Sequence, residues 1–315
     1  MAQAIYTQTI IAIIWDFDRT LTVGYSQEPI FAEYGVDGDK FWREVDGLKE
    51  LYKSRGIRVG SDTAYLIHML TYVREGQFRG LTNSKLKDLG SGIEMCPGIP
   101  DVLAYLSSIP DSDARYHQHG IAVEHFIVST GIRQLIEGSA VGPLVKEIWA
   151  NEFVDQPPSA GYDLGKHRFD SEEGEIAQIG FMVDNTSKTR AIFEINKGPD
   201  VDVNARMDES DRRVPIRNMI YVADGPSDVP VCSVLGKFGG SRLGVYQRGL
   251  PTNFSQVKQL EDDGRVNSIA EADFRSETQA RLWLDAAVRE LANRICTERD
   301  RYLEAIRAAP GHVVS

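Results

Sequence analysis

Ile10-Ile11-Ala12-Ile13-Ile14-Trp15 is an unbroken apolar run rich in β-branched residues. Alternating polarity would mark a strand with one wet face. A continuous run predicts a strand buried on both faces, as in a parallel sheet covered by helices. His125-Phe126-Ile127-Val128 and Met219-Ile220-Tyr221-Val222-Ala223 repeat the pattern. The three runs stop abruptly at Asp16, Ser129 and Asp224. In open α/β sheets ligand chemistry gathers at the carboxyl ends of the strands. Three buried strands that each end in a reactive side chain therefore predict one shared site.

Between the first two runs the period changes from strand to helix. Phe41, Val45, Leu48 and Tyr52 recur at helical spacing behind the candidate N-caps Asp37 and Asp39. Tyr65, Leu66, Met69, Leu70 and Val73 form a second stripe opened by Ser61 or Asp62, and a third helix is expected from Thr82 to Leu89 with Gly90 as its stop. Residues 24–95 thus read as a helical domain inserted into an α/β core made of 1–23 and 96–315. Pro97-Gly98-Ile99-Pro100 punctuates the return to the core. Two short strands are expected between Asn151 and Val183, around a polar loop, and Asn196 to Arg213 reads as a surface excursion. A long helix is expected from Glu277 to Ala308, with Leu284, Val288, Leu291 and Ile295 on one stripe. That stripe either crosses the core or forms a contact between two copies, so monomer and homodimer both stay open.

Composition narrows the functional class. With 35 Lys+Arg against 46 Asp+Glu the net charge is −11, which disfavours nucleic acid and anionic membranes as partners. The apolar run at 10–15 is too short to span a bilayer and lacks the flanks of a signal peptide. Cys96, Cys232 and Cys296 are scattered and odd in number, which fits a reducing, cytoplasmic setting.

The chemistry concentrates in Asp16-Phe17-Asp18-Arg19-Thr20-Leu21-Thr22. Carboxylates at i and i+2 beyond a strand can point the same way. One can attack an electrophile while the other handles a proton. A carboxylate nucleophile suits phosphorus, because water readily cleaves an acyl phosphate. Two anions so close repel each other, which calls for a divalent cation between them.

At this point the chain resembles the haloacid dehalogenase (HAD) superfamily, whose first motif is a hydrophobic strand followed by Asp-x-Asp-x-Thr. Ile127-Val128-Ser129-Thr130-Gly131 resembles the second motif, Lys188 the third and Asp224-Gly225-Pro226-Ser227-Asp228 the fourth, in the expected order over residues 10–250. The resemblance implies a Rossmann-like core, a mainly parallel sheet with helices on both faces, carrying an inserted helical cap of the phosphoserine phosphatase type. It implies Asp16 as nucleophile, Asp18 as general acid and base, and Mg²⁺ held by Asp16, Asp18 (through its main-chain carbonyl), Asp224 and Asp228. It also implies that Ser129, the N–H groups of Thr130 and Gly131, and Lys188 bind the phosphoryl group. Lys197 is a rival for the third motif, but sits at a helix end, whereas a helix start favours phosphate contact.

Two positions depart from the pattern. Arg19 stands where many relatives carry a small residue, and either leans into the substrate entrance or points to solvent. Ala223 replaces a common glycine. Plainer roles are assigned to other conspicuous residues: His117 and His119 to a solvated loop, the basic residues Arg43, Lys49, Lys53, Arg55 and Arg58 to a solvated cap face, and Phe41, Trp42 and Tyr65 to the cap core. Gly24 and Met95 to Gly98 are the expected hinges of the cap. The resulting expectation is a Mg²⁺-dependent phosphomonoesterase acting on a small soluble phosphorylated metabolite. The alternatives are a phosphotransferase or mutase, and a non-catalytic phosphate-binding regulator. A dehalogenase is disfavoured because it needs neither the second acid nor the metal.

Overall fold

The computed structural model describes residues 8–163, 173–199 and 201–308. The first seven and last seven residues of the expected core lie outside that range. Seven strands form one sheet in the order β4-β3-β2-β1-β5-β6-β7. They are β1 (Ile10–Trp15), β2 (Ala122–Ile132), β3 (Glu147–Val154), β4 (Gln178–Phe181), β5 (Met219–Ala223), β6 (Ser241–Tyr246) and β7 (Ser268–Glu271). All neighbours are parallel except β3 and β4, which are antiparallel. The chain moves outward from β1 through β2 and β3, then returns to β5 on the other side of β1. That reversal opens a crevice at the strands' carboxyl ends. Register brings the ends level: Trp15 lies opposite Ile127 on one side and Val222 on the other.

The unbroken hydrophobicity of β1 has its explanation in the two cores. Ile11, Ile13 and Trp15 enter one, and Ala12 and Ile14 the other. Trp15 is fixed further by a buried chain of hydrogen bonds. Its indole N–H donates to Nδ1 of His125 at 3.0 Å, and the opposite ring nitrogen of His125 faces the Leu103 carbonyl at 3.0 Å. An indole can only donate and a carbonyl can only accept, so His125 is the neutral tautomer protonated on Nε2.

Helices α1 (Glu28–Tyr34), α2 (Gly38–Ser54), α3 (Ser61–Arg74) and α4 (Asn83–Gly90) fill the span between β1 and α5 (Asp101–Ser108). Asp37 caps α2 by accepting from the Lys40 N–H, and Thr82 caps α4 by accepting from the Lys85 N–H. Helix α1 is absent from the periodicity reading. It is only seven residues long, starts at Glu28-Pro29 and ends on Gly35 in the left-handed conformation. Gly60, rather than Ser61 or Asp62, is the N-cap of α3. Gly90 lies inside α4, where it allows close approach to α7 (Arg133–Gly138): a Cβ at Gly90 would stand 2.2 Å from the Leu135 carbonyl oxygen. A Cβ at Gly138 would meet the Lys87 carbonyl oxygen at 1.7 Å. The helical insertion is thus seated on the core through backbone contact, as well as through the paired connections at Thr22 and Met95.

Helix α6 (Ala114–Gln118) replaces the loop expected around the two histidines, and within it His117 is exposed, as the solvated reading expects. His119 is buried just beyond it, with Nε2 3.1 Å from an Asp300 carboxylate oxygen. After α8 (Lys188–Lys197), α9 (Val229–Lys237) and α10 (Pro251–Asp262), α11 (Gln279–Ala308) closes the fold. Leu284, Val288, Leu291 and Ile295 are buried in the core shared with β1, so the apolar stripe is spent within the chain. Among the described residues no helix is long and apolar enough to cross a membrane.

Two outcomes follow from this packing. Gly138→Ala forces a methyl group into backbone and should destabilise the chain by about 2 kcal/mol or more, read as a lowered denaturant midpoint at unchanged slope. A wild-type midpoint would remove the close approach of α4 and α7. Burial lowers the His125 pKa to about 4. The unfolded chain therefore takes up the proton first, near 6.5, and the contribution of His125 is full above that pH and lost as pH falls towards 4. Its loss is on the order of 3 kcal/mol. His125→Gln should flatten that part of the pH–stability curve; an unaltered curve would contradict it.

Candidate active site

The site is built where β1, β2 and β5 end. The ladder extends one residue past β1, as the Asp16 N–H donates to the Val222 carbonyl at 2.9 Å. Phe17 then turns into the core and is fully buried, which leaves Asp16 and Asp18 on the same side of the chain. Asp16, Asp224 and Asp228 each place a carboxylate oxygen within 4.8 Å of the others. Lys188, 1% exposed, enters this group from the first turn of α8. Its Nζ donates to Asp16 Oδ1 at 2.8 Å and to Asp228 Oδ1 at 2.7 Å.

The turn before α8 explains how the lysine is aimed. The carboxylate of Asp184 accepts from the N–H groups of Thr186 and Ser187, and its own carbonyl accepts from the Lys188 N–H. These bonds hold Asp184 below the usual carboxylate range, chiefly through the Ser187 N–H. Asp228 is fully buried and has three donors: Lys188, the Tyr221 hydroxyl at 2.5 Å and the Ser227 hydroxyl at 2.7 Å. Lys197 is nowhere near: its ammonium donates to the carbonyls of Asp202, Val203 and Ala205.

Burial dominates the electrostatics. It raises Asp16 well above its ordinary value, the Asp228 charge adds to this, and Lys188 opposes it. Asp224 is pushed up to about 7, first by burial and then by Asp228. Burial alone would lower Lys188; Asp16 and Asp228 outweigh it and raise the ammonium's pKa instead. One ammonium thus bonds two of the three carboxylates, and the third, Asp224, is eased from farther off by Arg19 and then Lys188. The donor set is all oxygen and net negative, so it fits a hard divalent cation such as Mg²⁺. The Asp18 carboxylate is not part of this cluster. It lines the same cavity, and its Oδ1 accepts from the Ser26 N–H at 2.7 Å.

Ser129 and Thr130 follow in β2. The Ser129 hydroxyl accepts from the Gly131 N–H at 2.9 Å, so that N–H already has a partner and is not free for a phosphoryl oxygen as the motif implies. Gly131 instead contributes space. A Cβ there would stand 3.1 Å from both the Ser129 and Ser26 hydroxyl oxygens and 3.4 Å from Asp18 Oδ2. The open volume beside it belongs to a cavity of about 460 Å³ lined by Asp16, Asp18, Ser129, Thr130, Lys188 and Asp224. Its outer walls carry Arg19, Tyr25, Ser61, Asp62, Asn185 and Gln256.

Several supporting residues escape the sequence reading. Gln247 donates to the carbonyls of Arg19 and Thr22, while Asn253 donates to the Asp224 carbonyl, so one connection holds the loops after β1 and β5 together. Tyr65 is buried as expected but does more than fill the cap. Its hydroxyl donates to the Thr130 carbonyl at 2.6 Å and accepts from the Asn151 amide at 2.9 Å. Asn151 also accepts from the Val183 N–H at 2.7 Å, ahead of the Lys188 turn. Ser26 is buried beside Asp18, whose carboxylate accepts from its N–H. None of these lies within a motif; only long-range geometry identifies them.

An uncharacterized protein from Borreliella burgdorferi is 38% identical over 281 residues, covering 88% of this chain and 96% of its own. No family model matches the chain. Among solved structures, a HAD family hydrolase from Salmonella enterica serovar Typhi superposes with a TM-score of 0.51 at 10% identity, covering 87% of this chain and 69% of that one. A probable phosphoserine phosphatase from Vibrio cholerae in unliganded form gives 0.50 at 14% identity, covering 90% and 66%. These two likenesses show a shared fold.

The Tyr65 and Asn151 network is open to a direct check. Tyr65→Phe should cost about 1 kcal/mol, since Asn151 still serves the Thr130 carbonyl. Asn151→Ala should cost about 2 kcal/mol or more, because the buried Val183 N–H loses its acceptor while Tyr65 still serves the Thr130 carbonyl. Equal costs in chemical denaturation would show that the amide is not the hub.

Proposed function

We propose that this chain, which belongs to one family with the Borreliella burgdorferi protein and has the fold of the haloacid dehalogenase superfamily, is a divalent-metal-dependent phosphomonoesterase for small phosphorylated metabolites. The observation that carries the reading is the convergence of Asp16, Asp224 and Lys188 on one cavity at the strand ends, with Asp228 buried behind them and Asp18 and Ser129 beside them.

Lys188 holds Asp16 Oδ1, which leaves Oδ2 as the attacking oxygen. As the new bond to phosphorus forms, the bond to the leaving oxygen breaks and Asp18 supplies its proton. The Ser26 N–H occupies Asp18 Oδ1, so Oδ2 is the oxygen that carries that proton. Burial raises the Asp18 pKa, which suits an acid that must hold a proton before giving it up. Water then attacks the phosphorus of the aspartyl-phosphate, Asp18 takes the water's proton, and the carboxylate of Asp16 is restored. Ser129 and Lys188 face the phosphoryl oxygens throughout. Asp16, Asp224 and Asp228 are the residues that would hold Mg²⁺, which when bound offsets the charge of the phosphoryl group.

Release of inorganic phosphate from 4-nitrophenyl phosphate tests the reading. Turnover should require Mg²⁺ and disappear with EDTA. Asp16→Asn should lower it by about 10³-fold or more while the melting temperature stays near or above that of wild type, because a buried repulsion is relieved. Sustained activity in Asp16→Asn, or no turnover on a broad panel of phosphate esters, would contradict it.

A further inference from the structure

Arg19 has the wrong backbone for its side chain. Its φ is +60°, in the left-handed region, where a side chain carries a steric cost that glycine avoids. The conformation is imposed from both sides. The Arg19 N–H donates to the Thr22 hydroxyl at 3.0 Å, and its carbonyl accepts from the Gln247 amide at 2.8 Å. The turn requires the conformation; nothing in the turn requires an arginine.

The guanidinium forms no direct ion pair among the described residues, and its charge favours the Asp224 carboxylate only across a longer distance. It lies on the cavity wall with its centre 5.6 Å from the ring centroid of Tyr25, which is 45% exposed at the lip. No carboxylate of the described residues approaches it within 4.0 Å, in a chain of net charge −11. The cavity's other cation, Lys188, is paired with two carboxylates and sits at the reacting end of the cavity. Arg19 is therefore the cation on this wall that remains available to a ligand, and it stands outward of the reacting carboxylates.

From this geometry we infer that Arg19 is a specificity-determining residue that binds a second anionic group on the leaving portion of the substrate. The preferred substrates are thus phosphomonoesters whose alcohol bears a carboxylate or another phosphoryl group. A guanidinium presents paired N–H donors that suit either anion. The inference rests on the phosphomonoesterase reading and adds the substrate class to it.

Matched pairs of esters separate the possibilities. Ethyl phosphate is compared with 2-phosphoglycolate, and propyl phosphate with propane-1,3-diol bisphosphate, with kcat/KM measured for wild type, Arg19→Gly and Arg19→Met. Wild type should favour the second anion in at least one pair by about tenfold or more, and the pair that shows it tells carboxylate from phosphoryl. Both variants should bring that ratio close to one. Arg19→Gly should melt no lower than wild type, since glycine takes the left-handed conformation freely. A wild-type ratio near one in both pairs, with the simple esters turned over, overturns the inference and leaves the phosphatase reading standing. Equal slowing of all four esters by both variants also overturns it, and assigns Arg19 to the transferred phosphoryl group. Absence of turnover on every ester overturns the parent reading and this inference with it.

Discussion

The structure of the site depends on one buried ammonium. Lys188 is held between Asp16 and Asp228, each within 2.8 Å, where almost no water reaches. Burying a charge is tolerable only when partners replace its hydration. Here the replacement works in both directions: the carboxylates keep the lysine charged, and the lysine limits how far burial raises Asp16. Removing the ammonium would leave the carboxylates as buried charges without compensation. The rest of the fold can be read as the means of bringing these groups together from three distant stretches of chain.

The sheet does most of that work. Asp16 and Asp224 are placed by strands that pair directly, and the register puts them within one residue of the same level. Lys188 arrives from the side, on a helix whose first turn is shaped by Asp184. The connection carrying Gln247 and Asn253 then binds the loops after β1 and β5 to each other. The helical insertion is tied to the same framework through Tyr65 and Asn151, at the carbonyl next to Ser129. The position of the helical insertion and that of the chain at Ser129 and Thr130 therefore share a hydrogen-bond network. The backbone contact of α4 with α7 adds a second attachment away from the connections at Gly24 and Met95.

The sheet and its reactive ends were legible because strands buried on both faces write an unbroken apolar signature, and because Asp16, Ser129 and Asp224 terminate those runs. Lys188 was legible only through its order among the motifs. Asn151, Gln247, Asn253 and Ser26 were not legible at all. Each is an ordinary polar residue in its local context, and its partner lies far away in sequence or depends on a particular turn. His119 was misread for the same reason: its neighbours are polar, but α11 returns to bury it. Arg19 was left between solvent and cavity. Its direction is decided by a left-handed turn and by Tyr25, neither of which shows in the pattern of residues around it.

The account rests on Asp16 becoming covalently bonded to phosphorus. Acid quenching during turnover of a small phosphate ester, followed by peptide mass spectrometry, addresses this directly. The account expects the peptide spanning Ile10 to Arg19 to gain the mass of one phosphoryl group, located at Asp16 and lost on hydroxylamine treatment. Turnover at a steady rate with that peptide unmodified under every quench, or with the phosphoryl group on another residue, would contradict it.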